Sequence, residues 1–181
     1  MPILLNFAAY QLGWFASVLG AAKQLPWMGP VALIVVLFIH LAQSSRPQLE
    51  IGLVIACGVI GVFFDSFLVA AGWVSYPSGQ FHELLAPYWI VTLWMMFGTT
   101  LNVSLGWLKG RNLLAAVLGA IAGPLTYLAG QKLGGMQFVE PLPAMVALGL
   151  GWGIAMPFLM RLAETLDGIS LTPITGEESK C

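Results

Sequence analysis

Six apolar stretches follow one another along this chain of 181 residues: 3–22, 27–43, 51–74, 86–107, 112–133 and 141–161. A helix crossing a bilayer core needs about 20 mostly apolar residues, and five of the six reach that length; 27–43 is the shortest. In lipid every backbone N–H and C=O must find its partner within the protein, so segments this apolar are read as helices. A membrane barrel would show alternating strands of about ten residues, and the sequence has none. Pro26 and Pro30 fit the opening of the second helix, where a missing N–H costs little. The expected fold is all-α: a polytopic membrane protein built as a compact six-helix bundle over residues 1–165, with a polar cytoplasmic tail over 166–181. Composition agrees, since only 8% of the residues are charged against about a quarter in soluble domains.

Basic residues set the expected orientation. With six spans, Arg46, Lys109, Arg111, Arg161 and Lys180 share one side, and Lys23 and Lys132 the other. The excess of Lys and Arg on the cytoplasmic side then puts both termini in the cytoplasm. Trp27, Trp73, Tyr76, Tyr88 and Trp89 gather at the expected outer interface. A net charge of −1 with no basic patch argues against nucleic-acid binding. Cys57 and Cys181 do not suggest a disulfide framework, and His82–Glu83 lacks the second histidine of a zinc motif. No metal and no cofactor is expected. His40 reads as an interface residue.

The residue that most invites explanation is Asp65, because no other formal charge occurs between Ile51 and Phe81. A carboxylate inside the membrane costs about 2.5–3.5 kcal/mol on insertion scales, so it faces protein or water rather than lipid. Gly58, Gly61 and Gly72 share or border its side of the helix and would let a neighbouring helix approach. Every Lys and Arg is placed at a membrane boundary, so no cation is expected beside it. Counted from the cytoplasmic side, Asp65 lies mid-membrane, at the height of Thr126 and Tyr127 and close to Thr92 and Trp94. It is therefore expected to hold its proton and to hydrogen-bond Tyr127 or a neighbour.

Other polar groups add candidates. Asn6 and Gln11 on the first helix and Asn102 on the fourth suggest a polar pocket opening toward the cytoplasm. Pro124 removes the N–H that would bond the Ala120 carbonyl and should kink the fifth helix; Pro157 should do the same in the sixth. Gly119 and Gly123 form a small-xxx-small pair that favours close packing.

The stretches NFAAYQLGWFASVLGAA, FDSFLVAAGW, PYWIVTLWMMFGTTLN and GPLTYLAGQKLG together resemble a proteobacterial inner-membrane family, domain of unknown function 2878. The resemblance runs to about residue 165. It places Asn6, Gln11, Trp14, Asp65, Trp94, Asn102, Pro124 and Tyr127 in the family's characteristic stretches. It implies a multi-pass protein of the bacterial inner membrane and points toward lipid metabolism, without implying an activity.

The leading expectation is a protein that binds or handles a lipid or small apolar metabolite within the bundle, with Asp65 and Tyr127 as polar anchors, and in one version acts as an accessory to a lipid-modifying enzyme. Its expected partners are membrane lipid, an apolar ligand and an unidentified membrane protein. Behind it stand a small proton-coupled transporter switching on Asp65, and an assembly protein. An enzyme ranks last, since no catalytic constellation is present.

Overall fold

The computed structural model describes residues 3–169, so most of the tail expected over 166–181 lies outside the described residues. The chain forms α1 (Ile3–Ala22), α2 (Met28–Leu41), α3 (Pro47–Ala70), β1 (Val74–Ser75), α4 (Tyr88–Leu101), α5 (Asn112–Lys132), β2 (Gln137–Phe138) and α6 (Pro141–Thr165). The helices run alternately up and down. At one end, Gln24 donates to the Pro77 carbonyl, Ser78 to the Ala21 carbonyl, and β1 pairs antiparallel with β2. This is the hairpin end. At the other, the Ser45 and Arg46 amides donate to the Gly168 carbonyl, and Lys109 pairs with Asp167 at 2.7 Å. This is the tail end.

Four helices, α1, α3, α5 and α6, are long and apolar enough to cross a membrane. All six expected helices form, but α2 and α4 have only 14 residues each. At 1.5 Å per residue each reaches about 21 Å, short of a bilayer core of about 30 Å. The fourth apolar stretch stops being helical at Leu101, since the Thr100 carbonyl accepts the Val103 and Leu105 amides and the chain turns. A 3-10 turn, Gly106–Leu108, follows. Hydropathy alone does not separate a helix from an apolar turn.

The third helix is shifted from its expected 51–74 by about a turn. Pro47 occupies its first turn, where proline is tolerated, and Glu50 falls inside it. Its end is set by Gly72 at φ +73°, with Trp73 N–H bonded to the Leu68 carbonyl. Gly134, at φ +82°, closes α5 in the same way, with Gly135 N–H on the Gly130 carbonyl. These left-handed caps turn the chain into β1 and β2.

α4 is the hub, touching α1, α2, α3 and α6, while α3 packs on α4 and α5 on α6 along their lengths. α1 and α5 barely meet. Large apolar side chains ring the outside: Leu12, Phe38, Phe63 and Ile154 are each more than two-thirds exposed. That surface suits lipid.

Candidate functional site

Asp65 sits in the last quarter of α3, about 8 Å from the helix end at 1.5 Å per residue. Gly72 ends the helix early and lets the following strand and turn fold back over it. That return delivers Tyr76, whose hydroxyl donates to Asp65 Oδ1 at 2.7 Å. Trp94 Nε1–H donates to Oδ2 at 2.7 Å from α4. From α5 the Tyr127 hydroxyl reaches both oxygens, at 2.8 and 2.9 Å. The carboxyl group is fully buried.

Three donors therefore converge on one carboxyl group, and among the described residues no cation pairs with it. An ionised carboxylate is acceptor-only, with about four lone-pair positions, and suits such a set. A neutral acid would have to donate its own proton, and one tyrosine hydroxyl would lose its acceptor. Such a set of donors suits a carboxylate. Burial and the neighbouring Asp65 charge hold the Tyr76 phenol well above its ordinary pKa, so it remains a donor.

Glycines seat the aromatic donors. A Cβ on Gly61 would overlap the Trp94 ring, and one on Gly123 would overlap Trp152 of α6. Between these glycines the Trp94 and Trp152 rings stack, centroids 4.4 Å apart and 12° from parallel. Gly61→Ala is expected to push Trp94 off Asp65 and to lower stability by about 1–3 kcal/mol, the usual cost of overpacking. Denaturation in mixed micelles with parallel tryptophan fluorescence measures both effects.

Beside this cluster lies a cavity of about 290 Å³, set where α1 and α5 fail to meet. α1 contributes Tyr10, Trp14 and Val18; α4 forms the floor with Trp89, Leu93, Trp94 and Phe97. α5 supplies Gly119, Ala122, Gly123, Thr126 and Tyr127, and α6 supplies Trp152 and Met156. Leu105 and Leu108 lie on the wall toward the tail end, and Met136 toward the hairpin end. Ala122 and Thr126 line the cavity and are also exposed, so it opens on the side of the bundle. Asp65 does not line it. Trp94 and Tyr127 stand on the wall, each held by Asp65 behind them.

The remaining candidates divide. Thr126 lines the cavity, but its hydroxyl bonds back to the Ala122 carbonyl. Thr92 likewise bonds the Trp89 carbonyl in its own helix. Asn6, Gln11 and Asn102 are not on this wall. Asn6 instead donates to the Thr99 carbonyl and accepts from the Ser104 hydroxyl. Pro124 and Pro157 both stand inside continuous helices. Opposite the Ala120 carbonyl that Pro124 leaves without its helical N–H, α6 presents Gly149.

Asn102 belongs to a second buried cluster, at the tail end. Its Nδ2 donates to Glu50 Oε1 at 2.7 Å and to the Leu166 carbonyl at 3.0 Å. The Gly168 amide also donates to Glu50 Oε1, and His40 Nε2 lies 2.8 Å from Glu50 Oε2. His40 and Glu50 are fully buried, so His40, expected at the interface, packs inside the protein. Tyr76 and Trp89, expected at the interface, are buried as well; Trp89 Nε1–H bonds the Ser78 carbonyl.

Sequence reasoning missed Tyr76, Trp152, Glu50 and His40. A signal existed for Glu50, an acid within a helical turn of a long apolar run and ten residues from a histidine. Tyr76 and Trp152 had none, because their placement depends on a hairpin and on a helix pairing.

No curated protein and no solved structure matches the chain. A family model described as "Protein of unknown function (DUF2878)" matches residues 3–158. Covering both the Asp65 cluster and most of the cavity wall, that match means that the chain belongs to the DUF2878 family.

Proposed function

We propose that this protein resides in the bacterial cytoplasmic membrane and takes a lipid or small apolar molecule from the bilayer into the cavity between α1 and α5. The observation that carries this reading is the side opening. Ala122 and Thr126 mark a mouth flanked on α5 by the exposed Ile121 and Leu125, on a surface that suits lipid. At about 290 Å³ the cavity stands at the low end of small-molecule sites, which run from roughly 300 to 1,000 Å³. Its wall is almost wholly apolar and aromatic, the chemistry of a hydrocarbon chain or a compact apolar metabolite.

In this reading Asp65 is a positioning residue. It fixes Trp94 and Tyr127, and these two touch the ligand. A proton-coupled carrier using Asp65 as its switch is less well supported, because protein donors hold both carboxylate oxygens and the group does not reach the cavity. We place all six helices across the membrane, with the two short ones helped by their flanking turns, and both termini in the cytoplasm. Arg46, Lys109, Arg111 and Arg161 at the tail end, against Lys23 and Lys132 at the hairpin end, support that orientation. A protein of this kind would present its ligand to a membrane partner such as a lipid-modifying enzyme.

Ala122→Trp tests the reading, since an indole at the mouth plugs the cavity from an exposed position. Solvent extracts of purified wild type are expected to contain one apolar compound near stoichiometry, reduced at least tenfold in the plugged variant. Equal amounts in both would remove the cavity from the account.

A further inference from the structure

α1 carries three polar side chains, Tyr10, Gln11 and Trp14, that find no partner in the protein. Tyr10 and Trp14 stand four residues apart on the cavity wall. Among the described residues nothing donates to or accepts from the Tyr10 hydroxyl, Trp14 Nε1 or the Gln11 amide. Unlike Trp152 Nε1, the two wall atoms are not sealed in by their surroundings. The Tyr10 phenol lies deep among protein atoms, with the Phe97 ring edge-on at 6.1 Å, so the surface left to its hydroxyl is cavity surface. Gln11 is half-buried and lies two turns before Val18 on the same face; since Val18 lines the wall, Gln11 stands beside the mouth. All three fall near the middle of α1, a helix long enough to cross the bilayer. Lipid offers no hydrogen bonds at that depth, and polar groups persist there where they line a cavity.

The chemistry of the three groups narrows what they hold. An indole N–H only donates, while a phenol hydroxyl and a primary amide both donate and accept. Side chains four apart on a helix are neighbours, about 5–6 Å between Cβ atoms, so one compact head can meet Tyr10 and Trp14 together. A hydrocarbon pairs with none of them. No Lys, Arg or His lines the wall, and Asp65 stands just behind Trp94 and Tyr127. An anionic head would be desolvated there with no cation to meet it. A cationic head would face the Trp14 N–H, which has no lone pair to give. A neutral head bearing both a carbonyl and a hydroxyl matches all three groups.

Granting that the cavity is a ligand site, we infer that α1 carries its head-group subsite and that the ligand is a neutral hydroxy-ester lipid of the monoglyceride kind. The ester carbonyl takes the Trp14 Nε1–H, a hydroxyl pairs with Tyr10, and Gln11 meets the head at the mouth.

The test uses full-length protein in lipid nanodiscs with ¹⁵N-labelled indoles. Four probes are titrated: 1-decanoylglycerol, undecane, decyl sulfate and decyltrimethylammonium, with affinities expressed against each probe's concentration in the lipid. Binding is counted only above that of the plugged Ala122→Trp variant. 1-Decanoylglycerol is expected to bind about tenfold more tightly than any of the others, the effect of about one or two net hydrogen bonds, and to move the Trp14 indole proton downfield. Tyr10→Phe keeps the ring and breaks no bond within the protein. Its unfolding midpoint should match wild type, while the preference over undecane falls to within about threefold. Trp14→Phe assigns the indole signal and should lower the preference likewise; if it folds poorly, Tyr10→Phe carries the test. Equal binding of monoglyceride and undecane, tighter binding of a charged probe, an unmoved Trp14 proton, or an undiminished preference in Tyr10→Phe would overturn the subsite and leave the cavity reading intact. Failure of all four probes to exceed the plugged variant would overturn both.

Discussion

In Asp65→Leu the unfolding free energy is expected to fall by about 3 kcal/mol, with Tyr76, Trp94 and Tyr127 all losing their acceptor at once. Each buried donor left unpaired costs roughly 1–3 kcal/mol in soluble proteins. The lower end is appropriate here, because hydrogen bonds between membrane helices average about 0.6 kcal/mol and reach about 1.7. Asp65→Asn separates the two protonation states. An amide has one acceptor oxygen and one donor nitrogen, so its NH2 must face either Trp94 Nε1–H or a tyrosine hydroxyl. A loss of about 1–2 kcal/mol is expected for this variant, between wild type and leucine. A neutral aspartic acid, itself a donor and an acceptor, would be replaced almost without effect. Steric-trapping or mixed-micelle unfolding gives the stabilities, and infrared difference spectra of wild type and Asp65→Asn show whether a carboxylate band or a protonated C=O band disappears. The account requires the carboxylate band at neutral pH.

The second large effect is expected at the tail end. Glu50→Ala strips the acceptor from Asn102 Nδ2, the Gly168 amide and His40 Nε2. Leucine would fill the space better, so alanine reports both the lost bonds and a cavity. A fall of about 3 kcal/mol is expected, since two neutral donors and an imidazole lose a buried partner. The local consequence is more diagnostic. Segment 166–168 is held by Glu50, by Asn102 on the Leu166 carbonyl, and by Ser44 and the 45–46 amides on the Gly168 carbonyl. Without Glu50 its amide protons should exchange at least a hundredfold faster, while those of α5 change little. Uniform acceleration across the protein would mean that the cluster supports global folding and no local clasp.

The helical architecture was open to reading because apolar length is a strong constraint in lipid, and α1, α5 and α6 begin where apolarity begins. Helix ends were less open. Gly72 and Gly134 act through backbone conformation, and the turn after Leu101 is as apolar as the helix before it. Asp65 stood out as the lone charge in its run, and the depth match with Tyr127 followed from helix counting. Its place in the helix did not, because α3 ends at Ala70, which puts Asp65 near the hairpin end and brings Tyr76 within reach. The cavity left no trace in the sequence, since it arises from two helices that fail to pack, and polarity does not report a gap. Asn6 and Asn102 misled for a related reason: polar side chains suggest a polar cavity, yet here the Asn6 amide and Asn102 Nδ2 bond other protein groups, while Asn102 Oδ1 is buried without a partner.

The cavity mouth offers the most direct test. p-Benzoylphenylalanine placed at Ala122, which lines the mouth, is compared in intact membranes with the same residue at Ile121, exposed on α5 and off the wall. After irradiation, position 122 is expected to yield one dominant uncharged adduct mass, while position 121 yields the spread of bulk membrane lipid. Identical adduct profiles at the two positions would contradict a ligand site between α1 and α5.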